Sequence, residues 1–419
     1  MTAPTAIVSI RLEGADHHVG TLWVVPNRRG QAPATFHYSD AWMENPLRFA
    51  LDPELEPATG SRFNKERLFG AVADSAPDRW GRTLMARAER HRAAEEGRRP
   101  RTLTEIDYVL GVADTTRQGA LRFARAEGGD FLERPGDDPV PPIVDLPRLL
   151  AAAEGFLDDP SNDEFLRILL APGSSLGGAR PKASVIDGAG QLYIAKFPKK
   201  DDPVSISAWE HITLGMARDA GIRTADSELI EIEGRKVILL PRFDRDAEER
   251  IHFLSAMTMM DATDQEARSY LEVAEVIQRV GSSTRDDLRE LFRRIVFTVL
   301  VSNTDDHLGN HGFLYSGRGG WALSPAYDIN PTPDQGQTRF LSTAIGVDPE
   351  DTTASLDVAF EVVEYFDLDD DEARGIAAEV ADVTRTWDQR ATTAGIPTHE
   401  LDAMRSSFEH EDLDIAIGR

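Results

Sequence analysis

Asp305 and Asn310 stand five residues apart in Ser302-Asn303-Thr304-Asp305-Asp306-His307-Leu308-Gly309-Asn310, and a further carboxylate, Asp328, closes Ser324-Pro325-Ala326-Tyr327-Asp328. Phosphoryl transfer of the protein-kinase kind uses this ordered set. One carboxylate takes the proton of the attacking hydroxyl, while the amide oxygen and the second carboxylate hold Mg2+ on the nucleotide phosphates. Asp306 is chemically equal to Asp305 as a base, but the five-residue spacing to Asn310 favours Asp305. The competing reading makes Asn303, Asp305, Asp306 and Asn310 a polar turn after a helix, and Asp328 a solvated turn residue.

Lys196 ends the apolar run Leu192-Tyr193-Ile194-Ala195-Lys196. A buried ammonium there needs an anion, which the α- and β-phosphates of ATP would supply. Glu210 fits two roles: the helix carboxylate that pairs with Lys196, or the acid of a capping box begun by Ser207. Residues 173–182 are Gly-rich but lack the Gly-x-x-x-x-Gly-Lys-Ser/Thr of a Walker A loop. Their backbone N–H groups, with Lys182, suit phosphates, and a flexible connector is the alternative. Leu240, Pro241, Arg242 and Phe243 follow a strand where a kinase hinge would lie; Phe243 suits an adenine pocket or a core equally. The histidines form no metal set with usable spacing, and no Gly-x-Ser-x-Gly elbow supports a serine hydrolase.

The elements that must position these groups follow from periodicity. Strand-like alternation occupies residues 5–40, and helical spacing occupies 63–97. Glycine and proline mark a linker over 126–146. A helix over 147–170 precedes the Gly-rich turn, and two strands follow, over 183–186 and 192–197. A helix over 207–220 ends at Gly221 as a left-handed cap. A hairpin turns about Glu233-Gly234, and helices dominate beyond 250 except at 311–326. The expected organisation is 1–125, a linker 126–146, a nucleotide-binding lobe 147–245 and a helical catalytic lobe 246–419. The fold class is α+β, a two-lobe protein-kinase-like fold with an N-terminal α/β subdomain and a mainly helical C-terminal lobe.

Composition narrows the classes. The 419 residues carry 72 acidic and 46 basic side chains, a net charge of -26, which argues against broad binding of phosphate backbones by this chain alone. Absence of cysteine excludes disulfides, thiolate catalysis and Cys-bound zinc. The N-terminus shows no basic region followed by an apolar stretch, and the longest apolar run, 295–301, is too short for a membrane span. A cytoplasmic protein with no membrane association is expected.

Taken together, the motifs resemble the HipA-type serine/threonine kinases of bacterial toxin–antitoxin modules. Pro46 to Leu51 and Phe69-Gly70 with Ser75-Ala76-Pro77-Asp78-Arg79-Trp80-Gly81-Arg82 resemble the family's N-terminal subdomain. Ser175 to Lys182 resembles its Gly-rich loop, 194–198 its strand lysine, 241–245 its hinge, and 304–310 with 325–328 its catalytic and metal motifs. The resemblance implies ATP and Mg2+ as cofactors, with Asp305 as catalytic base and Asn310 and Asp328 as metal ligands. It implies nucleotide contacts at Gly177, Gly178, Ala179, Arg180, Lys182, Lys196, Leu240, Pro241, Arg242, Phe243, His307, Asn310, Tyr327 and Asp328. Inhibitory autophosphorylation falls at Ser175, with Ser174 adjacent; a phosphate there would place about two negative charges where ATP phosphates bind. The implied partners are a protein substrate, of which an aminoacyl-tRNA synthetase is the family's example, and a helix-turn-helix antitoxin of the HipB type through which DNA is reached indirectly. Arg180-Pro181 departs from the more polar residues of the family's loop. A small-molecule phosphotransferase and a nucleotide-binding pseudokinase corepressor are the rival functions.

Overall fold

In a computed structural model the described residues are 5–25, 32–132, 140–170, 180–246, 249–263, 266–333 and 338–418. They form two compact units: Met1–Lys200 with Pro241–Leu254 and Gly317–Gly319, and Asp201–Leu240 with Ser255–Ser316 and Gly320–Arg419.

In the first unit, β1 (Ala6–Leu12), β2 (Ala15–Val24), β3 (Ala34–Tyr38), β4 (Ser61–Asn64) and β5 (Leu121–Ala124) form an antiparallel sheet ordered β4-β3-β2-β1-β5. The register puts Ala6, Leu22 and Phe36 on one face, fully buried, as period-two alternation requires. The helical stretch expected over 63–97 is interrupted. β4 takes its start, and α1 (Arg79–Glu95) begins only after Pro77, at an N-cap Asp78 whose Oδ1 accepts from the Gly81 N–H at 2.7 Å. The single helix expected over 147–170 is two, α2 (Leu146–Asp158) and α3 (Asp163–Leu170). Pro160 disfavours a helical conformation at Asp159, and Asn162 restarts the helix by accepting from the Glu164 and Phe165 N–H groups. β6 (Lys182–Ile186) and β7 (Leu192–Lys196) then pair antiparallel, with Lys182 directly opposite Lys196.

The segment after residue 240 is tied into this unit by buried charge. Asp244 accepts from Arg242 Nε, Arg245 Nη1 and the Gly119 N–H, each at 2.8 Å. Arg242 also donates to the carbonyls of Thr116 and Arg117 at 2.7 and 3.1 Å. Burial alone would raise the Asp244 pKa, but the Arg242 and Arg245 guanidiniums hold it down at about 2.

The second unit is mainly helical. α4 (Ile206–Asp219) ends at Gly221, whose φ of +82° suits a residue without a side chain, so the expected left-handed stop is present. The hairpin of β8 (Glu228–Ile232) and β9 (Arg235–Pro241) turns at Glu233-Gly234 as expected. α5 (Tyr270–Val280) and α6 (Thr284–Leu300) follow. α6 packs against α5 and α7 (Asp370–Thr384), burying Leu291, Ile295 and Val299 completely. β10 (Gly312–Gly317) and β11 (Gly320–Leu323) complete the unit's strands. Their turn is the two residues Arg318-Gly319, both at positive φ. Among the described residues, no helix is long and apolar enough to cross a membrane.

Candidate active site

α6 delivers the Asp305 loop. Its last turns are fully buried, and Ser302, at φ +52°, reverses the chain as it leaves the helix. Ser302 Oγ donates to the Ser407 carbonyl at 2.9 Å, and the Asn303 N–H donates to the Thr298 carbonyl at 3.0 Å. The loop therefore starts from a point fixed in the core.

The two adjacent aspartates part company there. Asp306 turns inward and is buried. It accepts from the Tyr270 hydroxyl at 2.6 Å, His311 Nε2 at 3.1 Å and Thr298 Oγ1 at 3.2 Å. Burial pushes its pKa up, but the charge of His311 and these hydrogen bonds outweigh it and leave the carboxyl below its usual range. The same burial, together with the charge of Asp306, pushes the Tyr270 phenol well up. Asp305 faces solvent, and its carboxylate takes no hydrogen bond or ion pair among the described residues. An unencumbered oxygen pair on a rigid support can accept a proton from an incoming hydroxyl.

Asn310 is tethered to the same loop. Its Nδ2 donates to the Asp305 carbonyl at 3.0 Å, which leaves Oδ1 as the available donor atom toward a cation. His307 opens the short turn Leu308–Asn310, accepting from the Gly309 N–H through Nδ1 at 3.1 Å; its ring is exposed. Tyr327 stitches the second motif to the first, its hydroxyl donating to the Gly309 carbonyl at 2.8 Å. Asp328 comes next, half-buried at φ +60°, a conformation Asp tolerates better than most residues. Its Oδ1 accepts from Asn330 Nδ2 at 3.3 Å.

Among the described residues, no three His, Asp or Glu side chains gather to hold a metal ion. Asn310 Oδ1 and the Asp328 carboxylate are nevertheless hard oxygen donors. Mg2+ is commonly held by one or two such groups plus phosphates and water, so the donor set fits that ion.

In the first unit, Lys182 and Lys196 are buried at opposite positions of β6 and β7. Arg242 is buried in the Asp244 network, so its guanidinium is engaged there. Pro241 and Phe243 are half-buried, with the Phe243 ring 6.3 Å from that of Phe253. Leu240, in the second unit, is buried. Arg180 is half-buried. Ser174, Ser175, Gly177, Gly178 and Ala179 lie outside the described residues.

Glu210 is buried within α4, and the capping-box role is overturned. Ser207 lies inside the first turn, and the cap position belongs to Ser205, whose N–H and Oγ are held by the Glu400 carboxylate at 2.8 and 3.0 Å. Tyr270, Thr298 and His311 were not singled out in the sequence as supports of the loop. The only local hint was a second aspartate beside Asp305.

A family model described as the HipA-like C-terminal domain matches residues 174–387, just over half of the chain. A Haemophilus influenzae protein named "Putative kinase" is 28% identical over 202 residues, covering 42% of this chain and 59% of its own length. The Sinorhizobium fredii protein named "Putative kinase Y4dM" is 26% identical over 364 residues, covering 83% of this chain and 80% of its own. The solved structure of Shewanella oneidensis HipA, in complex with HipB and its operator DNA, superposes with a TM-score of 0.66 at 15% identity over 99% of this chain and 96% of that one. That likeness shows the fold, the α+β two-lobe kinase-like fold of HipA. The chain belongs to the HipA-like C-terminal domain family, the family of HipA-type kinases its motifs resemble.

Proposed function

We propose that this chain is an ATP- and Mg2+-dependent serine/threonine-protein kinase of the HipA toxin type. The observation that carries the reading is the division of labour at residues 305 and 306: a solvent-facing carboxylate that takes no hydrogen bond among the described residues, beside one locked in the core. In this reading Asp305 accepts the proton of a protein serine as its oxygen attacks the γ-phosphate. Asn310, tied to the Asp305 carbonyl, and Asp328, following the Tyr327–Gly309 bond, are the Mg2+ ligands. Mg2+ bound there would neutralise charge on the transferring phosphoryl group. Lys182 and Lys196 are the phosphate contacts, with Gly177, Gly178, Ala179, Arg180 and His307 beside them. Leu240, Pro241, Phe243 and the backbone of Arg242 serve the adenine end, and Tyr327 supports the metal loop.

The family membership supports two further assignments. Autophosphorylation at Ser175, or at Ser174 beside it, inhibits the kinase by putting negative charge where ATP phosphates bind. The antitoxin is a HipB-type protein, by analogy with the Shewanella complex, and DNA is reached through it. The protein substrate is of the aminoacyl-tRNA synthetase class, and the compartment is the cytoplasm.

Incubation with ATP and Mg2+, followed by mass-spectrometric mapping of phosphate on the chain and on an extract of its host, tests this. Phosphoserine at 175 or 174 and on one extract protein is expected. ATP binding without any transfer would make the chain a pseudokinase corepressor, and transfer confined to a small molecule would make it a phosphotransferase of another class.

A further inference from the structure

The Asp78-Arg79-Trp80-Gly81 segment supplies none of the proposed catalytic, metal or nucleotide contacts, yet it grips Lys182 at both ends. Trp80 Nε1 donates to the Lys182 carbonyl at 3.1 Å, and Asp78 Oδ2 lies 3.0 Å from the Lys182 ammonium. Both members of this ion pair are buried, their side chains 2% and 3% exposed. The clamp is itself anchored twice. Asp78 Oδ1 caps α1 through the Gly81 N–H, and the Trp80 ring stands edge-on to Phe156 with centroids 5.7 Å apart.

Lys182 also sits directly opposite Lys196 across β6 and β7. Directly opposed antiparallel residues project from the same face with Cβ atoms about 5 Å apart, where like charges repel. Taking two ammoniums out of water side by side is costly unless carboxylate or phosphate charge accompanies them. Asp78 brings such a charge from a helix start more than a hundred residues earlier in the chain.

We propose that Asp78 is a positioning residue of the nucleotide site. It fixes the direction of the Lys182 ammonium and offsets its repulsion with Lys196, so that the two lysines are set for the oxygens of one triphosphate. The proposal rests on the kinase reading, in which these lysines meet ATP.

Calorimetric titration of the full chain with Mg-ATP, in wild type, Asp78→Asn, Asp78→Glu, Lys182→Met and the Asp78→Asn/Lys182→Met double variant, tests it. Asn caps a helix as well as Asp does, so Asp78→Asn removes the charge and leaves the start of α1 intact. Each of Asp78→Asn and Lys182→Met is expected to raise the ATP Kd about tenfold. The double variant should be no weaker than Lys182→Met alone, because Asp78 acts through that ammonium. Asp78→Glu, which keeps the charge, should stay near wild type. If Asp78→Asn alone misfolds for want of a counter-charge, the double variant, which lacks the stranded ammonium, should fold and bind as Lys182→Met does. Wild-type affinity in folded Asp78→Asn, or losses that multiply in the double variant, would overturn the proposal while leaving the kinase reading intact. A wild-type chain that binds no ATP would overturn both.

Discussion

The Tyr270 hydroxyl donates to the Asp306 carboxylate at 2.6 Å inside the core of the second unit, 36 residues apart in the chain. That bond, with those from Thr298 and His311, explains how two adjacent aspartates come to have opposite fates. A carboxylate satisfied by three donors in the core cannot also swing out to a substrate, so it fixes the loop that presents its neighbour.

Asp306→Ala should therefore act as a stability variant. It strands a buried phenol, a threonine hydroxyl and a histidine together, and losing one partner of such a network costs about 3 kcal/mol. Denaturant unfolding of the full chain should show that loss. A variant as stable as wild type would mean the cluster does not hold the loop.

Asp328→Asn removes charge while keeping a residue type that tolerates the left-handed φ of +60°. Asn keeps an Oδ1 that can accept from Asn330 Nδ2, so the melting temperature should stay within about 2 °C of wild type. The Mg2+ concentration needed for half-maximal transfer should rise about tenfold with the loss of one anionic oxygen donor. An unchanged Mg2+ requirement would remove Asp328 from the metal site.

The sequence revealed whatever was encoded locally. The Glu233-Gly234 turn and the Gly221 stop each depend on residues within a few positions, and both are where the pattern puts them. Long-range partners were illegible. Nothing near Lys182 signals Asp78, nothing near Ser205 signals Glu400, and Ser207-x-x-Glu210 imitates a capping box although the helix's cap position lies two residues upstream, at Ser205. The helix breaks at Pro77-Asp78 and Asp159-Pro160 were legible in principle, because proline followed or preceded by a capping side chain is a local signal. Apolar periodicity on either side masked them.

Asp244→Asn should destabilise the first unit. The carboxylate is hydrogen-bonded to the buried Arg242 guanidinium and the half-buried Arg245 one, and neutralising it removes the counter-charge they share at a cost of about 3–5 kcal/mol. Guanidinium unfolding monitored by tryptophan fluorescence would register it. A change under about 1 kcal/mol would show that the carbonyls of Thr116 and Arg117 suffice to hold Arg242.

His252 supplies a pH dependence. Its Nε2 donates to the Leu51 carbonyl at 2.9 Å, and burial pushes its pKa down to about 4 from an ordinary value near 6.5. Between those values the unfolded chain binds a proton that the native state refuses. Stability therefore falls as pH drops from about 6.5 to about 4 and this contribution levels off below, a loss on the order of 3 kcal/mol. His252→Asn, which can still donate to Leu51, should flatten stability curves across that window. Curves parallel to wild type would show that His252 carries no such shift.

Transfer of labelled phosphate from ATP by wild type and Asp305→Ala, with ATP binding and melting temperature measured on the same samples, tests the central claim most directly. Among the described residues the substitution touches no hydrogen-bonded side-chain atom, so folding and ATP binding should persist, while transfer falls by about 100- to 10,000-fold as expected for loss of a general base. Transfer at the wild-type rate in a folded, ATP-binding Asp305→Ala protein would contradict the account.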